Sequence, residues 1–128
     1  EDIADAALTY FFAPATYRQQ PQLVEQHRQM LIAQQNVEGM FAAARAVFAR
    51  DDISARLAAI NAPTLVLAGK ADLATSATES ELIASRLANA QLAILEQASH
   101  LLILEKPEAV RQIIGEFLNQ IAAVAAVQ

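Results

Sequence analysis

The segment Thr64-Leu-Val-Leu-Ala68 is apolar at nearly every position and shows no alternation of polar and apolar residues. A strand of that pattern is covered on both faces, as strands in parallel sheets are. Its surroundings agree. Asp51 and Asp52 precede an amphipathic stretch, Ile53–Ile60, and acids at a helix start complement its dipole. Asn61 and Pro63 end that helix, and Gly69 stops the strand. Ser76-Ala-Thr-Glu79 reads as a capping box that opens a helix to about Asn89, with Leu82, Ile83 and Leu87 facing inward. Gln91–Leu95 is a second strand. Pro107 starts a last helix striped by Val110, Ile113, Ile114, Phe117, Leu118 and Ile121. Helix, strand, helix, strand, helix predicts an α/β fold with a right-handed crossover and a parallel sheet. Two strands cannot make a doubly covered sheet alone, so the pattern asks for more strands than it contains.

The first 50 residues read as helices. One spans about Asp2–Phe12 and is ended by Pro14. A second starts near Pro21, with Leu23, His27, Met30, Leu31 and Gln34 on one face. A third runs from Val37 to Ala49 with Asn36 as N-cap, striped by Val37, Met40, Phe41, Ala44, Val47 and Phe48. The one boundary falls near Asp51, dividing a helical segment, 1–50, from a βα part, 51–128.

Composition removes several function classes. With 55% hydrophobic and 18% charged residues, the chain is built for a packed interior, not for disorder. Its 9 basic residues form no cluster and the net charge is −5, so nucleic acid is not an expected partner. Absence of cysteine excludes disulfides, thiolate zinc sites and a cysteine nucleophile, and suits a cytoplasmic protein. No apolar run nears the ~20 residues of a membrane helix, and no secretory pattern is present. No His/Asp/Glu grouping has metal-ligand spacing, so no metal is expected.

Asp72 follows the first strand and His100 follows the second. In open α/β sheets, sites form at the strand C-terminal ends. If the strands are parallel neighbours, both loops share one rim. A carboxylate that accepts the Nδ1–H of a histidine fixes its tautomer and leaves Nε2 as a general base. An Asp after a strand also serves as a turn or capping residue, and a loop His is also found simply solvated. Spacing alone leaves these readings open.

Five further segments stand in order: Asp52-Ile-Ser-Ala-Arg-Leu57, Ile60-Asn-Ala-Pro-Thr-Leu-Val-Leu-Ala-Gly-Lys-Ala-Asp72, Leu87-Ala-Asn-Ala-Gln-Leu-Ala-Ile-Leu95, Ala98-Ser-His100 and Leu104-Glu-Lys-Pro-Glu-Ala-Val110. The last helix adds Ile114-Gly-Glu-Phe-Leu118. Together they resemble the end of the α/β-hydrolase fold, nearest to small esterases, 3-oxoadipate enol-lactonases and cofactor-free haloperoxidases. The resemblance implies that Asp72 is the triad acid and His100 the triad histidine. It also implies that residues 1–50 are a helical cap segment and 51–128 the C-terminal part of the core. Ser99 stands where many members have Gly, and Thr75-Ser76 where many have Thr-Pro.

The family's nucleophile elbow, Gly-x-Ser-x-Gly, occurs nowhere in this sequence, nor does its oxyanion-hole loop. In family order both lie upstream. With Glu1 rather than Met at the start, this leads to the expectation of one piece of a longer or split hydrolase. The expected partner is an N-terminal half carrying the elbow, and this chain alone should be inactive. The function implied is cofactor-free hydrolysis of a small carboxylic ester or lactone. Alternatives are a hydrolase-like small-ligand binding or signalling protein without turnover, or dehalogenation, perhydrolysis or C–C hydrolysis, which the elbow residue would help to discriminate. Leu73 and Leu101 flank the acid and the histidine, and Phe11 and Phe12 belong to an aromatic group with Tyr10 and Tyr17. Leu73, Leu101, Phe11 and Phe12 are the pocket candidates. His27, among glutamines on a helix, is read as a cap or surface residue.

Overall fold

The computed structural model describes residues 2–33 and 36–126. Four helices lead: α1 (Asp2–Phe11), α2 (Pro14–Gln19), α3 (Pro21–Ala33) and α4 (Val37–Phe48). A 3₁₀ turn at Ser54–Ala59 follows, then β1 (Thr64–Gly69), α5 (Ala77–Arg86), β2 (Ala90–Leu95), the one-turn α6 (Leu102–Glu105) and α7 (Pro107–Ala125). β1 and β2 pair in parallel, in register from Thr64 opposite Ala90 to Gly69 opposite Leu95. This is the α/β order expected from residue 53 onward.

Local signals explain most element starts. The Asn36 side chain accepts the Gly39 amide at 2.8 Å and caps α4. Ser76 and Glu79 form the reciprocal capping box of α5. Pro14 departs from expectation. It does not simply end α1 but occupies the first turn of α2, where its missing N–H costs nothing. The stretch expected as a helix at Ile53–Ile60 is a 3₁₀ turn whose entry is held by Asp52 Oδ1 accepting the Ser54 amide. Gln34 lies outside the described residues.

Two apolar clusters hold the described chain. Leu95, Ala98, Leu102 and Val110 pack with Leu67, Ala109 and Ile113 beneath the sheet. Leu8, Phe12 and Val24 pack with Phe11, Leu23, Leu31 and Leu101. Leu101, next to His100, therefore anchors the βα part to the leading helices.

Other apolar stripes go uncovered. Phe41 is 62% and Phe48 89% exposed, and α4 has no buried residue. Leu82 and Ile83, expected to face inward, are half-exposed, and Ser80 is the buried residue of α5. Ile114 and Leu118 of α7 are also exposed. For α5 and α7 the physical reason is width: a two-stranded sheet offers only ~10 Å of platform, less than two helices need.

Gly69 ends β1 where the backbone of the next loop comes closest. A Cβ placed there would lie 2.4 Å from the Ser99 carbonyl oxygen and 2.6 Å from that of Ala98. Both are backbone atoms, and the Ala98 oxygen is held by the Ala71 amide. Gly69→Ala is expected to cost about 1–3 kcal/mol of stability as an overpacking change. Denaturant unfolding of the variant against the wild type checks this.

Candidate active site

The C-terminal ends of β1 and β2 release two loops toward one rim. Lys70 N–H donates to the Leu95 carbonyl at 2.9 Å, and Ala71 N–H donates to the Ala98 carbonyl at 2.9 Å. These bonds carry the parallel pairing past the strands and stitch the loops together. Gln97 adopts φ 56°, a left-handed turn that is uncommon for a side chain with a Cβ. It swings the second loop back toward the first.

Asp72 Oδ2 lies 2.9 Å from His100 Nδ1. The carboxylate is saturated. Oδ1 accepts the amides of Ala74 and Thr75 at 2.8 and 2.9 Å. Oδ2 accepts the Thr75 hydroxyl at 2.9 Å as well as the imidazole. Four donors use about all the lone pairs a carboxylate has. Burial pushes the Asp72 carboxyl up. The Thr75 amide, His100, the Thr75 hydroxyl and the Ala74 amide together outweigh burial and hold it below its ordinary value. Asp72 is thus a fixed anion that only accepts, so Nδ1 must donate. The neutral ring then carries its lone pair on Nε2. The His100 side chain is 38% exposed, which leaves that nitrogen reachable.

The neighbours of the pair come from the leading helices. The Phe11 ring stacks on the His100 ring at a centroid distance of 6.0 Å and an interplanar angle of 25°. Leu101 N–H donates to the Phe11 carbonyl at 3.0 Å. Ser99 Oγ, completely buried, lies 3.1 Å from the Ala71 carbonyl and 3.2 Å from that of Tyr10.

The four pocket candidates separate. Leu73 and Phe12 line one groove of about 520 Å³ with Thr9, Pro14, Tyr17, Arg18 and Ala71. Phe11 lies against His100 instead, and Leu101 is packed into the α1–α3 cluster. His27 donates through Nδ1 to the Leu23 carbonyl at 2.9 Å and meets Phe12 edge-on at a centroid distance of 5.2 Å. Its partners are local and structural. Among the described residues no group of three or more His, Asp or Glu is arranged to hold a metal, and no helix is long and apolar enough to cross a membrane.

Three contributors are faint in the sequence. Thr75 stands in Asp-x-x-Thr, a spacing at which a hydroxyl folds back on a carboxylate. Ser99 shows only as a replacement for Gly. Glu105 shows only as a lone acid closing an apolar run, Leu101-Leu-Ile-Leu104.

Comparison with known proteins completes the picture. Residues 32–123 match an α/β-hydrolase family described as TAP-like protein. The chain is similar to 3-oxoadipate enol-lactonase 1 of Acinetobacter baylyi, 36% identical over 90 residues, which covers 70% of this chain and 33% of that protein. Its fold is similar to a thermophilic esterase from Thermogutta terrifontis, with a TM-score of 0.85, 33% identity, and coverage of 94% of this chain and 44% of that one. It is also similar to the enol-lactonase from Burkholderia xenovorans, with a TM-score of 0.82, 26% identity, and coverage of 92% and 44%. The chain spans a third of the curated relative and less than half of these solved structures.

Proposed function

The chain belongs to the α/β-hydrolase family described as TAP-like protein, and from that membership we propose that it supplies the acid and the histidine of a serine-type hydrolase of carboxylic esters or lactones. Its fold is that of the C-terminal portion of an α/β-hydrolase. The observation that carries the reading is the 2.9 Å bond from His100 Nδ1 to a buried carboxylate with no remaining acceptor capacity.

The chemistry follows from that bond. A nucleophilic hydroxyl, borne on a segment outside this sequence, attacks the substrate carbonyl. His100 Nε2 takes its proton and delivers it to the leaving alkoxide as the acyl-enzyme forms. His100 then deprotonates a water, which attacks the acyl carbonyl, and returns that proton to the nucleophile. Asp72 stays ionised throughout, holds the tautomer and stabilises the imidazolium. No cofactor enters these steps.

The same reading assigns the helices of residues 1–50 to the cap and makes the groove at Leu73 and Phe12 a lining for the acyl or ring portion. It also assigns the nucleophile elbow and further strands to an N-terminal half of the same hydrolase. Support comes from the sheet and the sequence. Among the described residues β1 pairs only with β2, although its residues are apolar enough for cover on both sides. The chain's three glycines, Gly39, Gly69 and Gly115, cannot form Gly-x-Ser-x-Gly. The test is ester turnover: the complete protein is expected to produce acid and alcohol one to one, and this chain by itself is expected to produce neither.

A further inference from the structure

Glu105 is 2% exposed and has no part in the proton transfers above. Its Oε1 accepts the Ala13 amide at 2.7 Å and also the Thr16 hydroxyl. Its Oε2 accepts the Ser99 amide at 2.6 Å. Its carbonyl accepts Gln20 Nε2 at 3.0 Å. Ala13 lies between α1 and α2, and Ser99 immediately precedes His100. One buried carboxylate therefore joins the leading helices to the backbone of the histidine. On the other side of His100, the Leu101 amide is held by the Phe11 carbonyl of α1. The histidine is thus bracketed, before and after, by bonds that end on the same helical segment.

We propose that Glu105 is a positioning residue, which fixes the Ser99 backbone to the α1–α2 junction so that the placement of His100 depends on the seating of the leading helices. Only a carboxylate meets the demand. All three groups facing its two oxygens are donors, and both oxygens must accept. In Glu105→Gln, the amide NH₂ faces the Ser99 amide in one orientation and the Ala13 amide in the other. Neither backbone donor can turn away, so one link between the helices and the histidine loop is lost either way.

The kinetic consequence rests on the ester-hydrolysis reading, whereas the geometric one does not, and the test separates them. In the complete hydrolase, Glu105→Gln is expected to lower kcat by about tenfold to a hundredfold with KM nearly constant, as a small misplacement of a catalytic group does. The low-field proton NMR signal of the His100 Nδ1–H, which reports its bond to Asp72, should broaden or vanish while the protein stays folded. A folded Glu105→Gln variant with wild-type kcat and an unchanged Nδ1 signal overturns the proposal. If that variant fails to fold, Thr16→Val removes one of the donors on the helix side and keeps the carboxylate. It is expected to lower kcat several-fold and weaken the signal, and wild-type behaviour in both overturns the proposal. If the complete protein turns over no ester, the proposed function fails, and the response of the Nδ1 signal still decides the role of Glu105.

Discussion

In the complete hydrolase, Asp72→Asn is expected to lower kcat by about 10⁴-fold while KM stays near the wild-type value. The size follows from the donors around the side chain. Oδ1 is held by two backbone amides, Ala74 and Thr75, which cannot become acceptors. The asparagine must therefore place its carbonyl oxygen there and its NH₂ toward His100 and the Thr75 hydroxyl. An NH₂ facing Nδ1 forces that nitrogen to accept. The ring proton moves to Nε2, and the base that the reaction needs is gone. Steady-state kinetics checks the loss. Stability gives a second reading. The folded Asp72 carboxyl lies below its ordinary value of 3.8. Its ionised form therefore stabilises the fold above that value, and the contribution is lost as pH falls through the lower, folded value. The stability gap between wild type and Asp72→Asn should be constant at neutral pH and shrink below about pH 4.

His100→Ala is expected to lower kcat still further, by about 10⁶-fold. Without the imidazole nothing takes the proton of the nucleophile, and nothing protonates the departing alkoxide. What remains should be the part of catalysis due to binding and oxyanion stabilisation, roughly 10³–10⁴ over water. The variant should fold. Asp72 keeps the Ala74 and Thr75 amides and the Thr75 hydroxyl, so its buried charge retains three donors. Leu101 still packs among Leu8, Phe12 and Val24 and holds the loop to the leading helices. Loss of turnover without loss of cooperative unfolding distinguishes removal of the base from collapse of the loop. A rate within tenfold of wild type contradicts the role assigned to His100.

Much of this architecture was legible because the signals are local. The apolar run of β1, the capping box at Ser76 and the N-cap at Asn36 each lie within a few residues of the element they start. The meeting of Asp72 and His100 was legible for a topological reason: parallel neighbours deliver their C-terminal loops to one rim. Other features are hidden by their nature. Proline ends one helix and opens the next with equal ease, so Pro14 alone did not reveal α2. α6 has only 4 residues, too few for a periodic pattern to register. Glu105 bonds to Ala13 across 92 residues, and no spacing rule reaches that far. The stripes of α4 and α5 are plain in the sequence, but a stripe says nothing of what covers it, and Phe41, Phe48, Leu82 and Ile83 stay exposed.

The central claim is that this chain holds the acid and base of a hydrolase whose nucleophile lies elsewhere. The most direct measurement compares the isolated chain with the complete protein, both exposed to a short-chain aryl ester and then to a fluorophosphonate. The complete protein should release acid and alcohol in equal amounts and take up one phosphonyl group, on a hydroxyl residue outside these 128 residues. The isolated chain should hydrolyse at the background rate and remain unlabelled. Ester turnover by the isolated chain, or a phosphonyl group on one of its own serines or threonines, would contradict the account.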